Sequence, residues 1–348
     1  VRSCQFRDYG KPLEVVEAAD PVPQGAEVVL RVVACGVCHS DVHVWEGHYD
    51  LGGGRRLDTR TGRPLPFTLG HEIVGEVVAI GPEADDALVG KHSVVFPWIG
   101  CGACEVCARG EEHLCLRPQA LGTFAHGGFS DRVIVPHARY LFDFGDVLPE
   151  RACTYACAGL TAYSALAKVG DHPGAHTIIV GAGGVGLNAV SIAKATSGRE
   201  VVVVDIDADK LAAAEQVGAD HLVDGSAPDA HKQLKRLTDG GAYAVVDCVG
   251  SKATASLGLR VLPRSGTLVI VGLIGGSLEV ALPMMPLKDL TIRGSYLGSL
   301  REMGELMEIV RENKLRAIPI ETRGLEEAQR TLDDLAAARV VGRVVLRP

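Results

Sequence analysis

The sequence predicts an α/β protein of two lobes, one β-rich and one a parallel six-stranded sheet with helices on both faces. Three observations predict it. The chain has 348 residues, more than one hydrophobic core usually serves. Its first third reads as short strands separated by Gly and Pro, and from about residue 152 strand and helix patterns alternate.

In order, the β-rich part offers Leu13–Ala18, Val28–Cys35, Glu72–Ile80, Ser93–Phe96 and Ser130–Val135, all apolar and β-branched. No long helical pattern interrupts them, so an antiparallel, barrel-like lobe is expected. Asp50–Pro64 (DLGGGRRLDTRTGRP) is nearly free of apolar residues and is expected to be a long loop, either a lid or a tolerated surface insertion. The alternating part offers strands Thr177–Val180, Val201–Asp205, His221–Val223, Ala244–Cys248, Thr267–Val271 and Leu290–Arg293. Helices are expected at Val185–Thr196, Asp209–Val217, Ala230–Thr238 and Lys252–Leu262. Two further helices, Leu300–Glu312 and Leu325–Ala337, and a strand Gly342–Leu346 follow.

Composition narrows the function class. With 47 % hydrophobic and 22 % charged residues the chain reads as an ordinary globular protein. Its net charge of −8, with no run of Lys and Arg, argues against a nucleic-acid or anionic-membrane partner. The segment Val1–Asp8 precedes no apolar h-region, so no secretory signal is read and a cytoplasmic location is expected. The most apolar stretch, Thr177–Ala195, is broken by glycines and holds Asn188 and Lys194, which suits a buried strand and helix better than a membrane span.

Gly181, Gly183 and Gly186 spell G-x-G-x-x-G, with Gly184 and Val185 between them. In a chain with 42 glycines the pattern alone is weak, but here it follows the strand TIIV and opens a helix. Glycines permit the tight turn and the close approach, and the helix N-terminus offers N–H donors to a pyrophosphate. The strand VVVV ends at Asp205, where a carboxylate can accept from both ribose hydroxyls and would repel a 2′-phosphate; Lys210 follows in the next helix. These residues point to NAD.

Ten cysteines are present, and Cys101, Cys104, Cys107 and Cys115 form C-x2-C-x2-C-x7-C. Four thiolates so spaced can close a tetrahedral shell, the preference of structural zinc. A second group is dispersed: Cys35-Gly-Val-Cys38-His39-Ser40-Asp41-Val-His43, Gly70-His71-Glu72, and Cys157. Spacing does not show that these converge, and a buried Cys or a satisfied His is the commoner role for each.

G-V-C-H-S-D, G-H-E, the four-cysteine loop and V-G-A-G-G-V-G, in that order, resemble the zinc-dependent medium-chain alcohol dehydrogenases across essentially the whole chain. The resemblance implies a GroES-like catalytic domain at 1–152 and 297–348, carrying a structural-zinc loop at 100–116, and a Rossmann NAD-binding domain at 153–296. It implies two Zn2+ per chain and NAD. Cys38, His71 and Cys157 would be the ligands of a catalytic zinc, with Cys153 the nearest rival to Cys157. Ser40 and His43 would relay a proton, and an imidazole titrating near neutrality suits that task. Asp41 would orient His71, and Glu72 would lie behind the metal, assisting ligand exchange. His39 stands where the family often has Arg near the pyrophosphate, and Arg343 matches a cofactor-phosphate contact. The activity implied is reversible hydride transfer between an alcohol and NAD. Bulky, aromatic or cyclic alcohols are expected, with Trp45, Trp98, Phe124 and Tyr296 as candidate pocket residues. Polyol dehydrogenases share the scaffold, and a non-catalytic zinc- or nucleotide-binding relative is the alternative of another class. Homodimers or homotetramers would form through the edge segment Leu290–Tyr296.

Overall fold

The computed structural model describes residues 1–170 and 176–348. Six parallel strands form one sheet in the order His221–Asp224, Val201–Asp205, Thr177–Val180, Ala244–Asp247, Thr267–Ile270, Thr291–Gly294. Thr177–Val180 and Val201–Val204 are buried throughout, as expected of strands covered on both faces. The connecting helices Gly184–Thr196, Ala208–Val217, Ala230–Leu237 and Lys252–Val261 fall within one residue of their predicted ends. Local chemistry sets those ends. Asp207 accepts from the N–H groups of Asp209 and Lys210, Gly218 closes the same helix at φ +116°, and Ser251 caps Lys252–Val261 through the Thr254 N–H. Strand order reverses on either side of Thr177–Val180, which opens a crevice above its C-terminal end.

The other lobe is built on Val28–Val37. This strand pairs antiparallel with Glu72–Ile80, Arg132–Val135 and Arg343–Arg347, bending at irregularities between Val29 and Leu30 and between Val32 and Ala34. His92–Val95 and Leu141–Phe142 extend the sheet on one side, and Ile320–Gly324, parallel to Arg343–Arg347, on the other. A three-stranded sheet of Arg2–Phe6, Glu14–Glu17 and Phe67–Thr68 closes over it. Phe6, Phe67, Phe96 and Phe129 fill the core between.

No long helix interrupts these strands; a short one, His39–Glu46, stands among them, at eight residues too short to show a period, and Gly47 ends it at φ +75°. Two expectations require correction. Asp50–Pro64 is not structureless, because His48–Gly52 and Arg55–Asp58 pair as a hairpin. Gly53 and Gly54 both have positive φ, the demand of a tight hairpin turn, so the glycine triplet marks a turn rather than disorder. Leu325–Ala337 divides into a 3-10 turn, Leu325–Glu327, and a helix, Ala328–Ala336. Among the described residues no helix is long and apolar enough to cross a membrane.

Candidate metal and nucleotide site

Val28–Val37 ends at Cys38, which lies just before the helix carrying His39, Ser40, Asp41 and His43. His71 and Glu72 begin the neighbouring strand, and Cys157 lies between a 3-10 turn and the helix Ala158–Ala167. These three segments bring the donor atoms of Cys38, His71, Cys157 and Glu72 within 4.8 Å of one another, all buried. The Cys38 and Cys157 sulfurs are 4.0 Å apart. Two thiolates sharing a tetrahedral zinc, each about 2.3 Å from it, stand about 3.8 Å apart. Asp41 takes up the His71 Nδ1 at 3.1 Å, which leaves the buried Nε2 without a partner. Two thiols and an orphaned imidazole nitrogen are a donor set for zinc. Cys153 is not part of it; its thiol donates to the Glu150 carbonyl.

Asp41, fully buried, ties the group together. Besides His71 it accepts from the Cys38 N–H at 2.8 Å and the Gly70 N–H at 3.2 Å. The Cys38 thiol is held well below its usual pKa, first by the hydrogen bond with Cys157, whose own pKa rises in turn; the pair gives up one proton readily. Burial lowers the His71 pKa, but Asp41 and Cys38 outweigh it and the net shift is upward. Glu72 is pushed up to about 7 by burial, against the opposing charge of Arg343, with which it pairs. The two charges touch, yet Arg343 Nη2 and Glu72 Oε2 form no aligned hydrogen bond. The Glu72 carboxyl also accepts from the Ala158 N–H at 3.3 Å, and a Cβ at Gly36 would lie 2.0 Å from its Oε2.

The cluster opens into a cavity of about 950 Å³ that runs between the lobes. Gly181, Gly183, Gly184, Val185 and Gly186 line its far half, together with Asp205 and Lys210. Gly181 has φ +93°, and a Cβ at Gly186 would meet the Gly181 carbonyl oxygen at 1.8 Å, so neither site tolerates a side chain. Arg343 packs on Gly184, where a Cβ would strike its Cδ at 2.2 Å. Asp205 accepts from the Ala182 and Asp207 N–H groups, which fixes its carboxylate at the strand end. Lys210 reaches the Ala338 carbonyl. His39, Ser40 and His43 line the half nearest the thiols.

Two family models match, one described as an alcohol dehydrogenase GroES-like domain over residues 24–146 and one as a zinc-binding dehydrogenase over 184–312. The NAD-dependent alcohol dehydrogenases of Sulfurisphaera tokodaii and Saccharolobus solfataricus are each 36 % identical to the chain, over the whole of both proteins. The chain belongs to the zinc-dependent alcohol dehydrogenase family. The solved alcohol dehydrogenase of Aeropyrum pernix overlays it with a TM-score of 0.90 at 31 % identity, covering all of both chains.

The dehydrogenase also carries the four-cysteine group. Cys104 lies 3.5 Å from Cys107 and 3.7 Å from Cys115, sulfur to sulfur, again the spacing of a shared tetrahedral ion. Backbone N–H groups of Cys101 and Arg117 point at the Cys115 sulfur, and the Arg117 guanidinium reaches Cys101. Cys101 is lowered to about 6, first by the backbone N–H of Ala103, whereas burial pushes Cys107 up to about 12. Glu112, a residue the sequence did not flag, anchors this lobe. Buried, it accepts from the Gly100 N–H, the Tyr140 hydroxyl and Arg139.

Two site expectations are corrected. The His43 imidazole does not titrate near neutrality; burial, with His39 adding, pushes it down to about 4. Trp45 lies outside the cavity, its indole donating to the Lys11 carbonyl, while Trp98, Phe124 and Tyr296 do line it. Tyr49 and Arg63 line it too. The first follows a helix that had no visible period, and the second lies in the segment read as a polar loop.

Proposed function

We infer that this dehydrogenase oxidises alcohols to aldehydes or ketones with NAD, and reverses the reaction, using a zinc ion held by Cys38, His71 and Cys157. One observation carries the reading: two buried thiols and an unpartnered imidazole nitrogen meet at one end of a cavity whose other end is a glycine-rich nucleotide loop. A second zinc belongs to Cys101, Cys104, Cys107 and Cys115. Bound zinc would supply the Lewis acidity that makes an alcohol acidic, and bound NAD would supply the hydride acceptor.

The chain's own groups do the rest. Ser40 and His43, three residues apart on one helix, share a face turned to the cavity. The Ser40 hydroxyl takes up the alcohol proton as its own passes toward His43. Burial keeps His43 neutral at pH 7, so it would hand a proton on rather than hold it, and its Nδ1 is buried without a partner. Asp41 holds the His71 proton on Nδ1, so that Nε2 stays free for the metal. Glu72 waits beside the ligands, balanced by Arg343, and Arg343, packed on Gly184, would lie beside the pyrophosphate of bound NAD with His39 as a second candidate contact. Gly181, Gly183, Gly184, Val185 and Gly186 would cradle that group, and Asp205, with Lys210 nearby, would select the unphosphorylated ribose.

Trp98, Phe124, Tyr49 and Tyr296 make the substrate end aromatic and favour bulky, aromatic or cyclic alcohols over ethanol. We place the domain boundaries at 152 and 297. Thr291–Gly294 is an edge strand beside exposed Leu282, Met284 and Leu287, which supports assembly into homodimers or homotetramers through that edge. Ten unpaired thiols support a reducing, cytoplasmic setting. NAD reduction followed by absorbance over primary, secondary, allylic and aromatic alcohols, with zinc measured on the same sample, tests the reading. Two zincs per chain without turnover of any alcohol would replace it with a binding-protein reading, and higher kcat/KM on ethanol than on benzylic or cyclic alcohols would refute the substrate class.

A further inference from the structure

The substrate half of the cavity has an uneven charge. Among the described residues that line the whole cavity, Asp205 is the one carboxylate, and it stands in the nucleotide half against Ala182. On the side of the thiols the wall includes Tyr49, Thr59, Trp98, Thr123 and Phe124, and the permanent charge set among them is the Arg63 guanidinium.

Arg63 is fixed in place by neutral groups. Its Nε donates to the Thr123 carbonyl, and its Nη1 donates to the Tyr9 hydroxyl at 3.1 Å and the Thr59 carbonyl at 3.2 Å. The rings of Tyr9, Phe67 and Phe124 surround the guanidinium carbon at 5.4–5.9 Å. Among the described residues no carboxylate pairs with it, and its Nη2 has no partner. A half-buried guanidinium without a counter-ion leaves its charge available to an anion that enters the cavity. Its three fixed donors leave the outer nitrogen oriented in advance, which suits one face of a carboxylate.

Arg63 also stands near the reacting end. It lines the same cavity as Cys38 and Cys157, and that wall also includes Tyr49, whose ring centroid is 4.9 Å from that of His43. Outside, the hairpin adds Arg55 and Arg56, both exposed and forming no ion pair among the described residues, while Arg60 is matched by Asp58. On a chain of net charge −8 the hairpin thus carries two unmatched positive charges, Arg55 and Arg56, in the segment that leads to Arg63.

We propose that the natural substrate is an alcohol, or its carbonyl partner, bearing a second, anionic group, a carboxylate in particular, and that Arg63 is the specificity-determining residue that binds it. The proposal rests on the alcohol dehydrogenase reading of the site, and the test separates the two. The probes are 3- and 4-(hydroxymethyl)benzoate, each compared with its carboxamide, and benzyl alcohol.

In the wild-type holoenzyme the better acid should exceed its amide in kcat/KM by about 10- to 100-fold, chiefly through KM, the gain of a charge-assisted hydrogen bond. That ratio should shrink with added salt. In Arg63→Met it should fall to near one, and in Arg63→Lys it should recover in part. Acids no better than their amides in the wild type would overturn the proposal, and this comparison needs no variant to fold. An acid preference that survives in Arg63→Met would overturn it as well. Turnover of benzyl alcohol in the same assay shows that the underlying reading stands when the proposal falls; no turnover of any probe overturns the proposal, and the wider alcohol panel then decides the underlying reading.

Discussion

Replacing Asp41 with Asn isolates the tautomer of His71. Three donors converge on the Asp41 carboxylate: the Cys38 N–H at 2.8 Å on one oxygen, and the Gly70 N–H at 3.2 Å with His71 Nδ1 at 3.1 Å on the other. An asparagine has one acceptor edge and one donor edge. If its oxygen keeps the Cys38 N–H, its NH2 group faces the other two, and His71 relieves the clash by moving its proton from Nδ1 to Nε2. That proton then occupies the nitrogen offered to the metal. Losing such an orienting partner typically weakens zinc binding about 10- to 100-fold. Because the four-cysteine site is a separate cluster with no hydrogen bond to Asp41, it serves as an internal control. Zinc content after titration with a chelator of graded strength should show two equally retained ions in the wild type. In Asp41→Asn one ion should leave at about 10- to 100-fold lower chelator activity, and dehydrogenase activity should leave with it. Two ions retained with wild-type resistance would refute the tautomer argument.

Cys107→Ser should reduce bound zinc to one ion per chain and speed proteolytic cleavage within 100–116, since that loop has little core of its own; unchanged cleavage would count against a folding role for the metal. Asp205→Ala should raise the kcat/KM ratio of NADP to NAD by at least about tenfold, by removing a carboxylate that repels a 2′-phosphate; steady-state kinetics with both nucleotides decides it. A pH effect should appear at Asp220. Burial works to raise its carboxyl, but the Val201 N–H at 2.7 Å and Lys194 at 2.9 Å outweigh it and hold the pKa low. A depressed native value means stability that is present above the unfolded pKa and lost as pH falls through the folded one. The melting-temperature gap between wild type and Asp220→Asn should therefore narrow from about pH 5 to about pH 3, and a constant gap would contradict the assignment.

The nucleotide lobe was legible because its signals are local. Buried parallel strands such as TIIV and VVVV are continuous apolar runs, and Asp207, Gly218 and Ser251 terminate helices by rules of sequence alone. The four cysteines were legible for the same reason, lying within fifteen residues. Cys38, His71 and Cys157 lie on three separate segments, so no spacing reports their meeting, and only the likeness to a family pointed there. Tyr49 and Arg63 were lost in a glycine- and arginine-rich segment whose hairpin depends on left-handed glycines, and Glu112 is meaningful only once Gly100 and Tyr140 fold onto it. His43 misled because a titration midpoint is a property of burial, which a sequence does not display.

The pairing of Val37 with Val344 joins positions roughly 300 residues apart, across the entire nucleotide lobe. During synthesis the parallel sheet, complete by Gly294, is free to form while the strand Val28–Val37 still lacks the neighbour that flanks it. Arg343 arrives with that neighbour and closes on Glu72. Until it does, Glu72 stands beside the thiol cluster without its counter-charge, so the metal pocket cannot be finished before the strand that carries Arg343 has been made.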